Sequence, residues 1–155
     1  MPQVTIKSFD DFKKYDGVEI GKSEFFKVSQ EQINLFAEAT HDHQWIHTDP
    51  ARAKEEGAFG NSIAHGYLTL SIVPYLWGQI VEVQNLKMMI NYGIESLRFA
   101  NPVVVNSEVR LVAALKSVVN LRGTVKAEVS VTLEIKDQKK PAFSGVLIFL
   151  YHFKN

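Results

Sequence analysis

The residues best suited to chemistry lie close together: His41, Asp42, His43, Gln44, Trp45, Ile46, His47, Thr48 and Asp49 form one polar stretch, and His65 follows after a short interval. Four of the chain's five histidines fall here. Imidazole and carboxylate, with ordinary pKa values of about 6.5 and 3.9, can together move protons near neutral pH. They can also bind metal, and three readings of the residues stand open. In a metal site, His41, His43 and His47 with Asp42 and Asp49 would offer ligands suited to zinc or iron. Residues two apart rarely converge on a tetrahedral centre, however, and only His65 and His152 remain to complete one. In an acid/base dyad, Asp42 and His47 would share one water. Five residues apart on a helix they would point about 140° away from each other, so the chain between them must fold back. The chemistry would then be addition or removal of water. In a purely structural reading, Asp42 caps a turn and His47 bonds a backbone carbonyl.

Helix signals flank the stretch on both sides. Ser29-Gln30-Glu31-Gln32 is a capping signal with Ile33, Phe36 and Ala37 at helical spacing behind it, which predicts a helix running out near Thr40. Asp49-Pro50 places an N-cap acid before a proline at the first helical position, with Gly57 as the stop. The loop from His41 to Thr48 is therefore pinned between two helix ends, and Trp45 and Ile46 are expected to pack it down, Trp45 as an anchor. Farther on, Asn61 or Ser62 is expected to cap a helix through Gly66, Leu68, Ile72, Leu76 and Ile80. Apolar nearly all round, that helix should be enclosed, with Pro74 kinking it by freeing the Leu70 carbonyl. Upstream, Ser8 and Asp11 resemble a capping box over a short helix that carries Phe9, Phe12 and Tyr15 and ends at Gly17. Val18 to Val28 is extended in character.

From Met88 onward the period becomes two. Val109, Leu111, Ala113 and Leu115 alternate with polar residues, as do Val125, Ala127, Val129, Val131, Leu133 and Ile135, which predicts long antiparallel strands with one wet face. After the turn signal at Asp137-Gln138-Lys139-Lys140-Pro141, the strand Phe143–Phe153 carries Val146, Ile148 and Leu150 on its other face, so it is expected to be covered on both sides. The fold class is α+β: a central apolar helix wrapped by a long antiparallel sheet. Apolar strand faces left over by one small domain suggest a homodimer.

Composition excludes other classes. A chain of 155 residues, 46% hydrophobic and 11% aromatic, fits one domain spanning 1–155 with a sizeable core. Seventeen Lys+Arg balance seventeen Asp+Glu, so no global field favours nucleic acid or an anionic membrane. With no cysteine there is no disulfide, thiolate nucleophile or Cys-ligated metal. The apolar run from Tyr67 to Val81 is interrupted by Pro74, Gly78 and Gln79 and falls short of the ~18 residues of a membrane span. Met1–Lys7 has no basic region leading into an apolar one, which makes a cytoplasmic location the expectation.

The residues from Phe36 through His41-Asp42-His43-Gln44-Trp45-Ile46-His47-Thr48-Asp49, followed by Ala53, Phe59-Gly60, Ile63-Ala64-His65-Gly66 and Leu68, resemble the hydratase motif of the MaoC-like, R-specific enoyl-CoA hydratase family. The Gln-Trp-Ile-His variant is similar to the nodulation-protein-N branch, and Leu97-Arg98-Phe99-Ala100-Asn101-Pro102-Val103 resembles the family's strand after the central helix. The resemblance implies a hot-dog fold, usually paired as a homodimer. It also implies that Asp42 and His47 activate a water that adds to a trans-2-enoyl-CoA, giving the (R)-3-hydroxyacyl-CoA, while the Gly66 backbone N–H polarises the thioester carbonyl. Charge builds on that oxygen as water adds, and a helix-start amide would stabilise it. His65, next to the donor, is a further candidate for substrate binding. CoA enters as part of the substrate, with no metal or redox cofactor. The chain departs from the family pattern at His41, where Gly commonly precedes the Asp, and at Gln44-Trp45, where the family has Asn-Pro. The rival readings are a thioesterase on the same fold and a catalytically silent acyl-CoA-binding or dimerisation module.

Overall fold

The computed structural model describes residues 2–154. The elements run β1 (Val4–Ile6), α1 (Phe9–Lys13), β2 (Glu19–Lys22), β3 (Phe26–Lys27), α2 (Gln30–Thr40), α3 (Trp45–Thr48), α4 (Pro50–Glu55), α5 (Gly66–Ser71) and α6 (Val73–Ile80), then β4 (Val81–Val83), β5 (Leu86–Phe99), β6 (Glu108–Leu121), β7 (Thr124–Ile135) and β8 (Phe143–Phe153). One antiparallel sheet in the order β2-β6-β7-β8-β5, with β3 also on β6, curls around α5 and α6. This is the hot-dog arrangement, and its class is α+β.

Local chemistry explains most element ends. The Ser8 and Ser29 hydroxyls accept from the amides of Asp11 and Gln32, and the Asp49 carboxylate accepts from Arg52, so each caps the helix that follows. β7 and the first half of β6 alternate strictly: every second residue of β7 from Val125 to Ile135 is buried, as are Val109, Leu111, Ala113 and Leu115 of β6. Those side chains pack against Leu76, Trp77 and Ile80 of α6, and the Trp77 indole donates to the Tyr151 hydroxyl on β8 across the core. The parallel pairing of β1 with β4 was not foreshadowed by any pattern in the sequence; it ties the start of the chain to the end of α6.

Three expectations need correction. Neither Asn61 nor Ser62 caps the central helix. Ser62 is fully buried and extended, with Ile63 bridging to Val104, and the helix begins only at Gly66, behind His65 as its N-cap. A short polar side chain before an apolar run can serve as a cap or as a buried tie, and here Ser62 ties to Gln30. Second, the interruption expected at Pro74 divides the helix at Ile72 into α5 (Gly66–Ser71) and α6 (Val73–Ile80), since Pro74 has no N–H for the Leu70 carbonyl, but the helix is not enclosed by its own chain: Tyr67 and Tyr75 are 71% and 58% exposed. Third, Val146, Ile148 and Leu150 of β8 are only half-buried, because among the described residues no second layer covers the sheet's outer face. The edge strand β5 likewise exposes Met88, Ile90, Tyr92 and Ile94.

Candidate active site

The loop after α2 folds back on itself. His41 ends the helix in the left-handed region, φ 60° and ψ 21°, which turns the chain sharply and sets Asp42 at the start of the return. Left-handed geometry costs a side-chain-bearing residue about 1–2 kcal/mol. Replacing His41 by Gly is therefore expected to raise stability by about 0.5–1 kcal/mol, after the looser unfolded chain is deducted. Urea unfolding checks this, and an unchanged or lower midpoint would show that the imidazole stabilises the turn in some other way.

The region read as a plain loop contains a single helical turn, α3, and His47 lies on it. That turn forms because the His47 and Thr48 amides both reach the Gln44 carbonyl. His47 is 7% exposed, and its Nδ1 lies 2.7 Å from the Ile63 carbonyl. A carbonyl can only accept, so Nδ1 carries the proton and Nε2 keeps its lone pair. Burial pushes the imidazole below its usual 6.5, and nearby His65 acts in the same direction; the Ile63 carbonyl and the Asp42 carboxylate oppose them without prevailing. The His47 main chain is also fixed: its carbonyl accepts from Gln30 Nε2 at 2.7 Å, while Gln30 Oε1 takes the Ser62 hydroxyl. Gln30 and Ser62 read only as helix signals in sequence, and pairing across 32 residues leaves no local trace.

Asp42, His47 and His65 come together, each offering a ligand-type atom within 4.8 Å of the others. His41 and His43 do not join them; both are exposed, and His43 faces Glu38 at 3.6 Å. Asp49 is spent on its cap and His152 lies near Thr124 on β7. The Asp42 carboxylate is half-exposed and accepts from the Gln44 backbone amide at 3.4 Å, a long contact that any residue but proline at position 44 would supply. Gln44 in place of the family's Asn therefore leaves this contact intact. Trp45 is partly buried and lies under the Arg52 guanidinium at 4.4 Å.

His47 and Gly66 both line a cleft of about 350 Å³, walled by Ile63, Thr69, Phe99 and Pro102. Gly66 opens α5, where the first amides have no intrahelical carbonyl and no side chain caps them. A Cβ at this position would stand 3.2 Å from the Phe99 ring, so glycine keeps this corner of the cleft open.

The sequence matches the MaoC like domain over residues 12–136. The chain belongs to the MaoC-like family. It is 46% identical over 148 residues to a protein of Mycobacterium tuberculosis named 3-hydroxyacyl-thioester dehydratase Z, covering 95% of this chain and 97% of that one. It is 40% identical over 149 residues to Nodulation protein N of Rhizobium leguminosarum bv. viciae, covering 94% and 92%. Among solved structures, the (R)-hydratase from A. caviae involved in PHA biosynthesis superposes with a TM-score of 0.68 at 26% identity, covering 86% of this chain and 96% of that one. This MaoC-like chain is thus a lyase of the hydratase/dehydratase class. Among the described residues, no helix is long and apolar enough to cross a membrane.

Proposed function

We propose that the chain is an (R)-specific enoyl-CoA hydratase, equally a 3-hydroxyacyl-CoA dehydratase in reverse, with Asp42 and His47 as the catalytic pair and the Gly66 N–H as oxyanion donor. The observation that carries the reading is the convergence of Asp42 and His47 side chains to within 4.8 Å although they are five residues apart. One water bridging two acceptors at about 2.8 Å each can span up to about 5.6 Å, so the gap suits a shared water. That water's oxygen bonds to C3, and the C2–C3 π pair moves toward the thioester oxygen, where the Gly66 amide meets it. The pair takes one proton from the water and returns one to C2, so the sum is addition of H₂O. No net oxidation occurs, and no redox cofactor is called for.

Each ring has one nitrogen against a carbonyl and keeps the other, and the two rings are stacked; with the Asp42 carboxylate they make a donor set that suits proton handling, while the same atoms are ones a metal ion could use. The names of the Mycobacterium and A. caviae relatives support the thioester substrate and the (R) outcome. A homodimer completes the reading, since β5 is an edge strand with exposed apolar side chains. Beside it lies a groove of about 430 Å³ lined by Leu70, Pro74, Tyr92, Ile94 and Ile148. Light scattering is expected to give twice the chain mass.

Crotonyl-CoA hydration tests the reaction. Loss of the enoyl-thioester absorbance without thiol release, with (R)-3-hydroxybutyryl-CoA as product, is the expected result. Thiol release would make the protein a thioesterase. Binding of a saturated acyl-CoA with no turnover of short, long or branched enoyl-CoA would make it a silent binder.

A further inference from the structure

A buried histidine is costly unless its nitrogens are bonded. His65 is 3% exposed and, among the described residues, bonds through one nitrogen only: Nε2 lies 2.9 Å from the Asp42 backbone carbonyl, while Nδ1 is buried with no partner there. The carbonyl accepts, so Nε2 carries the proton. The ring also lies against His47, centroids 3.9 Å apart and planes 25° from parallel, with Phe36 packed on it at 4.9 Å. One side chain at the start of α5 thus touches both members of the pair, which come from the end of the α2 loop and from α3.

We propose that His65 is a positioning residue: its Nε2–H holds the Asp42 main chain at the fold-back and its ring sets the plane of the His47 imidazole. The proposal rests on the Asp42–His47 reading above and replaces the substrate contact expected for His65. A leucine or phenylalanine would fill the same volume with no orphaned nitrogen, so space-filling alone does not account for an imidazole here. The donor to Asp42 does account for it. Its Nε2 is 4.0 Å from the Asp42 carboxylate, beyond hydrogen-bond reach, which leaves that carboxylate free for water. His47, held at Nδ1 by Ile63 and across its face by His65, has its Nε2 lone pair aimed by two independent restraints.

Two variants and one spectrum test this. His65→Leu removes the donor, and His65→Gln restores an amide N–H at nearly the reach of Nε2. For His65→Leu, kcat is expected to fall about 10- to 100-fold with KM within about twofold, as for other groups that orient a reacting residue. His65→Gln is expected to recover most of that loss. A raised KM with kcat kept would make His65 a substrate contact and overturn the proposal. A lowered melting temperature in both variants with kcat of the folded protein unchanged would make it a packing residue, with the same consequence. Imidazole ¹⁵N spectra of the unmodified protein need no variant to fold: His65 is expected as the Nε2–H tautomer and His47 as Nδ1–H, and an Nδ1–H His65 would overturn the contact directly. If the wild type turned over no enoyl thioester while both tautomers were as expected, the dyad reading would fall and the His65 contact would stand. If the wild type were active and His65→Leu equally so, only the His65 proposal would fall.

Discussion

Asp42→Asn is expected to lower kcat for crotonyl-CoA hydration by about 10²- to 10⁴-fold, the range for loss of a positioned base, while the melting temperature stays within a few degrees. The substitution is nearly isosteric and keeps an oxygen for the Gln44 amide, already a long contact at 3.4 Å. What Asp42 gives the fold is its backbone carbonyl, which His65 holds, and the substitution does not touch it. Activity and stability should therefore separate cleanly. Groups that act on one water as a unit are strongly non-additive, so Asp42→Asn combined with His47→Gln is expected to cost little more than either alone. Full activity in Asp42→Asn would remove Asp42 from the mechanism.

How far the sequence carried the reading depends on whether the deciding interaction was local. The caps at Ser8, Ser29 and Asp49 act within three residues, and all three were legible. The alternation in β6 and β7 was legible because a sheet with one buried face repeats every two residues. Ser62 was misread because its partner is Gln30, and the true start of α5 carries no side-chain cap to announce it. The single turn of α3 escaped for a related reason: four residues hold too little periodicity to register. At the site, Asp42, His47 and Gly66 came from the family motif rather than from spacing, which by itself left metal, dyad and structural readings open. The motif also passes through His65, yet only the fold brings that one imidazole against both a carbonyl and a second ring.

His47→Gln is expected to lower kcat by a factor comparable to Asp42→Asn, and the pH profile of the wild type ties that loss to the imidazole. Burial, with His65 alongside, holds His47 below its ordinary 6.5 against the opposing pull of the Ile63 carbonyl and the Asp42 carboxylate. The neutral ring with a free Nε2 lone pair is thus the resting form at pH 7. The expected kcat/KM for hydration falls toward acid along a limb whose midpoint lies below 6.5. Stability follows with a definite sign. Once the pH drops below 6.5, the unfolded chain takes up a proton that the folded protein still declines, so the contribution of His47 is complete above 6.5 and is lost as pH falls through the lower folded value. Urea midpoints should therefore drop more between pH 7 and pH 5 in the wild type than in His47→Gln, which has nothing to titrate at that position. An acid limb centred above 6.5 would mean that the Ile63 carbonyl and the Asp42 carboxylate prevail over burial, and the His47 assignment made here would fall.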